Sequence, residues 1–186
     1  MKLLSISNGK AEDAMAVCVL QELQQFVPEL ELSAISLVGR GAAYEKAGYS
    51  VLGPRQDSPT DGFMMQSLRN FVTDIRAGFL QMSFKQFQAI REAKPDVVFV
   101  CGDVYALWAA LTFTRNKKSL VFQYQPLVSV YYQDGITPEE QLRRLHRIAV
   151  DTFILPERWM MNGLAKVFVR DERSAASLRA KGLSNV

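Results

Sequence analysis

The chain has 186 residues, 48% hydrophobic and 22% charged, with a formal net charge of +3. That length and balance predict one globular domain with a sizeable core, and the charge is too small, and too free of Lys/Arg runs, to point to nucleic acid. No zinc-ligand spacing occurs, and the two cysteines, Cys18 and Cys101, are expected as buried free thiols in a reducing compartment.

Lys2 opens a short apolar, partly β-branched run, Leu3-Leu4-Ser5-Ile6-Ser7, and a turn follows at Asn8-Gly9. A helix pattern then places Met15, Cys18 or Val19, Leu23 and Phe26 on one stripe, three to four residues apart. Strand, glycine turn and helix form the opening unit of an α/β nucleotide- or sugar-handling domain, and the free N–H groups of such a helix can seat an anion. Neither G-x-G-x-x-G nor G-x-x-x-x-G-K-[ST] is present, which disfavours a dinucleotide-dependent oxidoreductase. Glu12 and Asp13 fall in the first helical turn, where they either complement the helix dipole or meet a ligand.

Leu30–Val38 reads as a second strand, Ala42–Ala47 as a short helix and Tyr49–Leu52 as a third strand, with a polar loop over Arg55–Gly62. Phe63–Ala93 is helical in pattern and unusually apolar, with Leu68, Phe71, Val72, Ile75, Phe79 and Met82 on one stripe and breaks predicted at Gly78 and Ser83. Phe63, Met64, Leu80 and Phe84 fall partly outside that stripe, with Arg69, Arg76, Lys85 and Arg91 interleaved. The segment is either a core helix packed on a neighbour or an amphipathic surface resting on a membrane.

Val97–Cys101 is an unbroken apolar run that suits a parallel strand covered on both faces. Gly102-Asp103 closes it and starts a helix to about Thr114; this glycine–aspartate break and the short length argue against a membrane span, which needs about 20 residues. Leu120–Tyr124 is the fifth strand and Gln125–Gly135 a loop. Pro138–Ile148 is an Arg-rich helix carrying His146, the only histidine. Thr152–Leu155 is read as a sixth strand ended by Pro156, Lys166–Val169 as a seventh, and Asp171–Lys181 as a closing helix. The alternation predicts a Rossmann-like, doubly wound parallel α/β sheet of about seven strands in one domain.

Ligands of such sheets collect at the carboxyl ends of the strands. That rule selects Ser7-Asn8-Gly9, Gly39-Arg40, Gly102-Asp103, Gln125–Tyr132, Pro156-Glu157 and Arg170-Asp171. Asp103, directly after an apolar strand, is either a helix N-cap or a functional base. His146, among arginines, argues against Ser-His or Cys-His catalysis and a histidine-held metal.

ISNGKAED after the first strand, SLRNFVTDIRAGFL in the apolar helix, YQPLVSVYYQDG after the fifth strand, LPERWMM and VFVRDERSAASLRAKG occur in that order. Together they resemble the lipid-A-disaccharide synthase-related proteins of cyanobacterial type. Where that family's first loop reads NGHGED, Lys10 and Ala11 stand here. The resemblance implies the acceptor-side, amino-terminal domain of an inverting GT-B glycosyltransferase, with the nucleotide-sugar donor held by a second domain absent from this chain. It implies a lipid-linked or membrane-associated acceptor and a cytoplasmic protein peripheral to the inner face of a membrane. Asp103 would be the base, and Ser7, Asn8, Gly9, Lys10, Glu12, Asp13, Gln125, Ser129, Tyr131 and Tyr132 would line the substrate site. Phe63, Met64, Phe79, Leu80 and Phe84 with Arg69, Arg76 and Lys85 would touch the membrane. No cofactor or metal is expected in this half. The competing reading is a non-catalytic Rossmann-like module that binds a nucleotide, a sugar or a partner.

Overall fold

The computed structural model describes residues 1–56, 78–116, 118–133 and 153–186. Six strands form one sheet: β1 (Lys2–Ser7), β2 (Glu31–Ser36), β3 (Ser50–Val51), β4 (Val97–Cys101), β5 (Leu120–Gln125) and β6 (Lys166–Val169). Their order is β3-β2-β1-β4-β5-β6, and every pairing is parallel. This is the doubly wound Rossmann order, in which the winding reverses between β1 and β4. The helices are α1 (Lys10–Phe26), α2 (Ala42–Lys46), α3 (Phe79–Ala93), α4 (Val104–Phe113), α5 (Leu155–Met161) and α6 (Glu172–Ala180), with a 3-10 turn at Val130–Gln133.

Alternation along the strands divides the core in two. Leu4, Ile6, Val98 and Val100 pack with Ile90 of α3 and with Ala106, Leu107 and Ala110 of α4. Leu3, Phe99 and Cys101 pack on the other face with Ala16, Val17 and Leu20 of α1 and Tyr44 of α2. Both faces of the central strands are therefore covered, as their unbroken apolar runs require. Burial pushes the Cys101 thiol up to about 12, with Glu12 and Asp13 adding to the rise.

Three expectations change. Among the described residues the sheet has six strands, not about seven. The segment read as the strand Thr152–Leu155 instead leads, over its described residues Phe153 and Ile154, into α5, with Ile154 as the extended N-cap. Pro156 fits there because the first turn of a helix needs no N–H from it. Second, α1 faces the sheet with Ala16, Val17 and Leu20, whereas Met15, Val19 and Phe26 are exposed, and so is Cys18. The inward stripe includes the carboxylates Glu12 and Asp13, so apolar periodicity alone misplaces it. Third, Gly78 does precede a helix, at φ +90°, but Ser83 is buried within α3 rather than breaking it. His146 and the Pro138–Ile148 helix lie outside the described residues.

Candidate functional site

The carboxyl ends of β1 and β4 meet at the reversal point. Ser7 pairs with Cys101 across the sheet, so the loops that follow, Asn8-Gly9 and Gly102-Asp103, lie side by side. Their approach is close: a Cβ built on Gly102 would fall 2.6 Å from Asn8 Oδ1. Gly102 also sits at φ +154°. Only glycine meets both demands. Asn8 Oδ1 is buried with no hydrogen-bond partner among the described residues.

Asp103 is half-buried at the start of α4, and its Oδ1 accepts from the Tyr105 N–H at 2.9 Å. It is a helix N-cap at the crevice rim, as the sequence allowed. Glu12 is buried in the first turn of α1. Burial raises its carboxyl above the ordinary range, its own backbone N–H opposes the rise, and the charges of Asp103 and Asp13 add to it. Glu157, from the first turn of α5, is 1% exposed. Burial pushes its carboxyl up to about 7; the Gln125 amide opposes this and Asp103 reinforces it. The Asp103 charge thus adds, after burial, to the rise of both the Glu12 and the Glu157 carboxyls. Among the described residues no group of three His, Cys, Asp or Glu side chains is arranged to hold a metal ion.

Ser7 and Asp13 point into the fold. Ser7 Oγ donates to Asp13 Oδ1 at 2.6 Å, Ser36 Oγ donates to Asp13 Oδ2 at 2.9 Å, and Tyr44 Oη lies 2.9 Å from Ser7 Oγ and 3.0 Å from Ser5 Oγ. All five groups are buried. This network ties β1, β2, α1 and α2 together beneath the crevice. Burial raises both the Asp13 carboxyl and the Tyr44 phenol, and the serine hydroxyls oppose it in each case.

Of the remaining sequence-selected residues, Gly9 and Asn8 line the loop and Lys10 is exposed at the first position of α1. Gln125 is buried, donating to Glu157 Oε1 at 2.8 Å. Ser129 donates to Asp171 Oδ2 at 2.6 Å, which pins the loop after β5 to the cap of α6. Tyr131 is exposed, with the Arg173 guanidinium 5.0 Å from its ring centroid. Tyr132 belongs to the 3-10 turn. Leu80 and Phe84 are exposed at 62% and 63%, beside the exposed Lys85, and Phe79 is half-buried against Tyr105. Phe63, Met64, Arg69 and Arg76 lie outside the described residues. No described helix is long and apolar enough to cross a membrane.

Sequence reasoning named Glu157 only as a strand-end residue and did not find its burial or its pairing with Gln125. A signal was present: Gln123 and Gln125 occupy alternate positions of β5, on a covered face where polar side chains need buried partners.

The fold and crevice define a Rossmann-like α/β domain with its candidate site at the switch point of the sheet. No family model and no curated protein matches the chain. A solved structure that does match is that of a protein described as UDP-N-acetylglucosamine 2-epimerase from Listeria monocytogenes, at 19% identity and a TM-score of 0.48. The match covers 98% of this chain but 42% of that protein, so the chain spans less than half its length.

Proposed function

We propose that this chain is the acceptor-side domain of a GT-B glycosyltransferase, transferring a sugar from a nucleotide-sugar held by a second domain to a lipid-linked or membrane-associated acceptor. The observation that carries the reading is the placement of Asp103. It sits at the carboxyl end of a central strand, directly across the switch point from the Asn8-Gly9 loop. The ordered series of sequence segments, from ISNGKAED to VFVRDERSAASLRAKG, supports the same reading.

In an inverting transfer, the acceptor hydroxyl attacks the anomeric carbon as the nucleotide leaves, and a base takes the hydroxyl proton. A carboxylate accepts at two oxygens, so Asp103 can cap α4 through one and take that proton through the other. In this reading Asn8, Glu12 and the Gly9 backbone orient acceptor hydroxyls. Leu80, Phe84 and Lys85 would rest against anionic lipid, keeping the acceptor's lipid tail near its membrane.

A non-catalytic binding module is the second reading, favoured by the hydrogen bond that already engages Asp103 as a cap. Asp103→Asn, in the chain joined to its donor-binding domain, separates the two. Asparagine caps helices as well as aspartate, so the fold stays intact. Loss of a general base slows turnover by about 10²–10⁴-fold. Near-normal turnover in a stable variant removes Asp103 from catalysis.

A further inference from the structure

Two neighbouring helices on one face of the sheet, α3 and α4, meet along an aromatic seam. On α3, Leu80, Phe84 and Phe87 follow at steps of four and three residues, so they share one stripe. Phe87 reaches α4: its ring stacks on Phe113 with centroids 4.2 Å apart and meets Trp108 edge-on at 5.6 Å. That stripe therefore faces α4. From α4, Tyr105 lies 6.2 Å from Trp108, and Trp108 lies 5.5 Å from Phe113. Phe79 closes one end of the seam, 6.4 Å from Tyr105. Phe87 and Phe113 are half-buried and fill its floor. Above them Trp108 is 42% exposed, and Leu80 and Phe84 more so. Packing between the helices does not require those three. Nor does water suit the helix that carries Trp108. α4 reads VYALWAALTF, with no charged residue, whereas a helix that faces water ordinarily has a polar outer face.

The seam begins at the crevice. The Tyr105 N–H donates to Asp103 Oδ1 at 2.9 Å, and the Tyr105 hydroxyl donates to Ser83 Oγ at 3.3 Å, which ties α4 to α3 at that end. From Tyr105 to Phe113 the helix rises about 12 Å. We infer that the seam is a binding strip for a single hydrocarbon chain, which leaves the Asp103 crevice over Tyr105 and lies against Trp108, Leu80 and Phe84.

Continuity with the crevice selects this occupant. A chain attached to a ligand in the crevice is delivered to Tyr105, at the start of the strip. A partner helix has no reason to begin there, and a flat bilayer would meet the outermost side chains without following the seam inward. The identity of the attached group rests on the transferase reading, in which the chain is the lipid tail of the acceptor. The strip itself needs only an alkyl chain, so it is tested with and without a sugar.

The experiment follows Trp108 fluorescence in a Trp159→Phe chain; Trp159 is the other of the two tryptophans and is exposed on α5. The probes are methyl, butyl, hexyl and octyl β-glucoside, with 1-hexanol and 1-octanol, all below micelle formation. The expected result is a blue-shifted Trp108 emission whose half-saturation concentration falls about two- to fourfold per added CH2, for glycosides and alcohols alike. Leu80→Gln combined with Phe84→Gln, both at exposed positions, should flatten that series. Phe26→Gln, on the exposed side of α1, should leave it unchanged. No dependence on chain length overturns the inference. So does a Trp108 response to anionic vesicles alone, which makes the surface a bilayer contact, or a series that the Leu80 and Phe84 substitutions leave intact. Glycosides that bind no tighter than alcohols of equal chain length support the strip and remove the sugar from the crevice, so the two readings fail separately. The Trp159→Phe series decides the matter if the combined variant does not fold.

Discussion

Gly102→Ala tests the contact that builds the crevice. The new methyl would lie 2.6 Å from Asn8 Oδ1 and 3.0 Å from Asn8 Cγ, with the Ala106 methyl 3.4 Å away. Overfilling a packed site costs about 1–3 kcal/mol. Holding a residue with a Cβ at φ +154° adds backbone strain of about 1–3 kcal/mol. The two together predict a loss of about 3 kcal/mol in urea unfolding, read as a lower midpoint at unchanged slope. Asn8→Ala alone should stay within about 1 kcal/mol of wild type, because the oxygen it removes is buried and unpartnered. Asn8→Ala in the Gly102→Ala background should recover about 1–2 kcal/mol, the steric share, and leave the backbone share. Two outcomes refute the reasoning: Gly102→Ala within about 0.5 kcal/mol of wild type, or a double variant whose loss is the plain sum of the singles.

Glu157 also predicts the pH dependence of stability. Its carboxyl rises on folding from the ordinary 4.5 to about 7, so between those values the folded state holds the extra proton. Stability therefore falls as pH rises through that window, by about 3 kcal/mol at about 1.4 kcal/mol per pH unit, and stays lowered above it. Glu157→Gln should abolish that fall, and denaturation midpoints at pH 5 and pH 8 check it; an equal fall in the variant assigns it elsewhere. Liposome sedimentation tests the surface bearing Leu80, Phe84 and Lys85: the chain should pellet with anionic vesicles and release in salt, basic groups contributing about 1 kcal/mol each. Equal recovery in the supernatant with and without anionic lipid rejects that surface.

The parts of this fold that were legible in the sequence were those set by local pattern. The unbroken apolar run Val97–Cys101 suited a strand covered on both faces, and Gly102-Asp103 after it marked the start of a helix. The faces of α1 were not legible, because its inward stripe carries Asp13, whose partners Ser7 and Ser36 lie 6 positions before it and 23 positions after it on two different strands. A carboxylate reads as solvent-facing until those hydroxyls are brought to it. Pro156 was ambiguous for another reason: proline both ends strands and begins helices, and the choice depends on the packing of Met161 and Phe153 into the core. Glu157 could be placed at a strand end by rule, but its burial depends on Gln125, thirty-two positions earlier.

In the proposed reading this domain takes the acceptor and not the donor. Amide chemical-shift mapping of the chain measures that directly, with an alkyl glycoside as the acceptor probe and a UDP-sugar as the donor probe. Shifts from the glycoside are expected to cluster at Asn8, Gly9, Glu12, Gly102 and Asp103, with none from the UDP-sugar at matched concentration. Micromolar binding of the UDP-sugar at those residues, with no response to the glycoside, would contradict it.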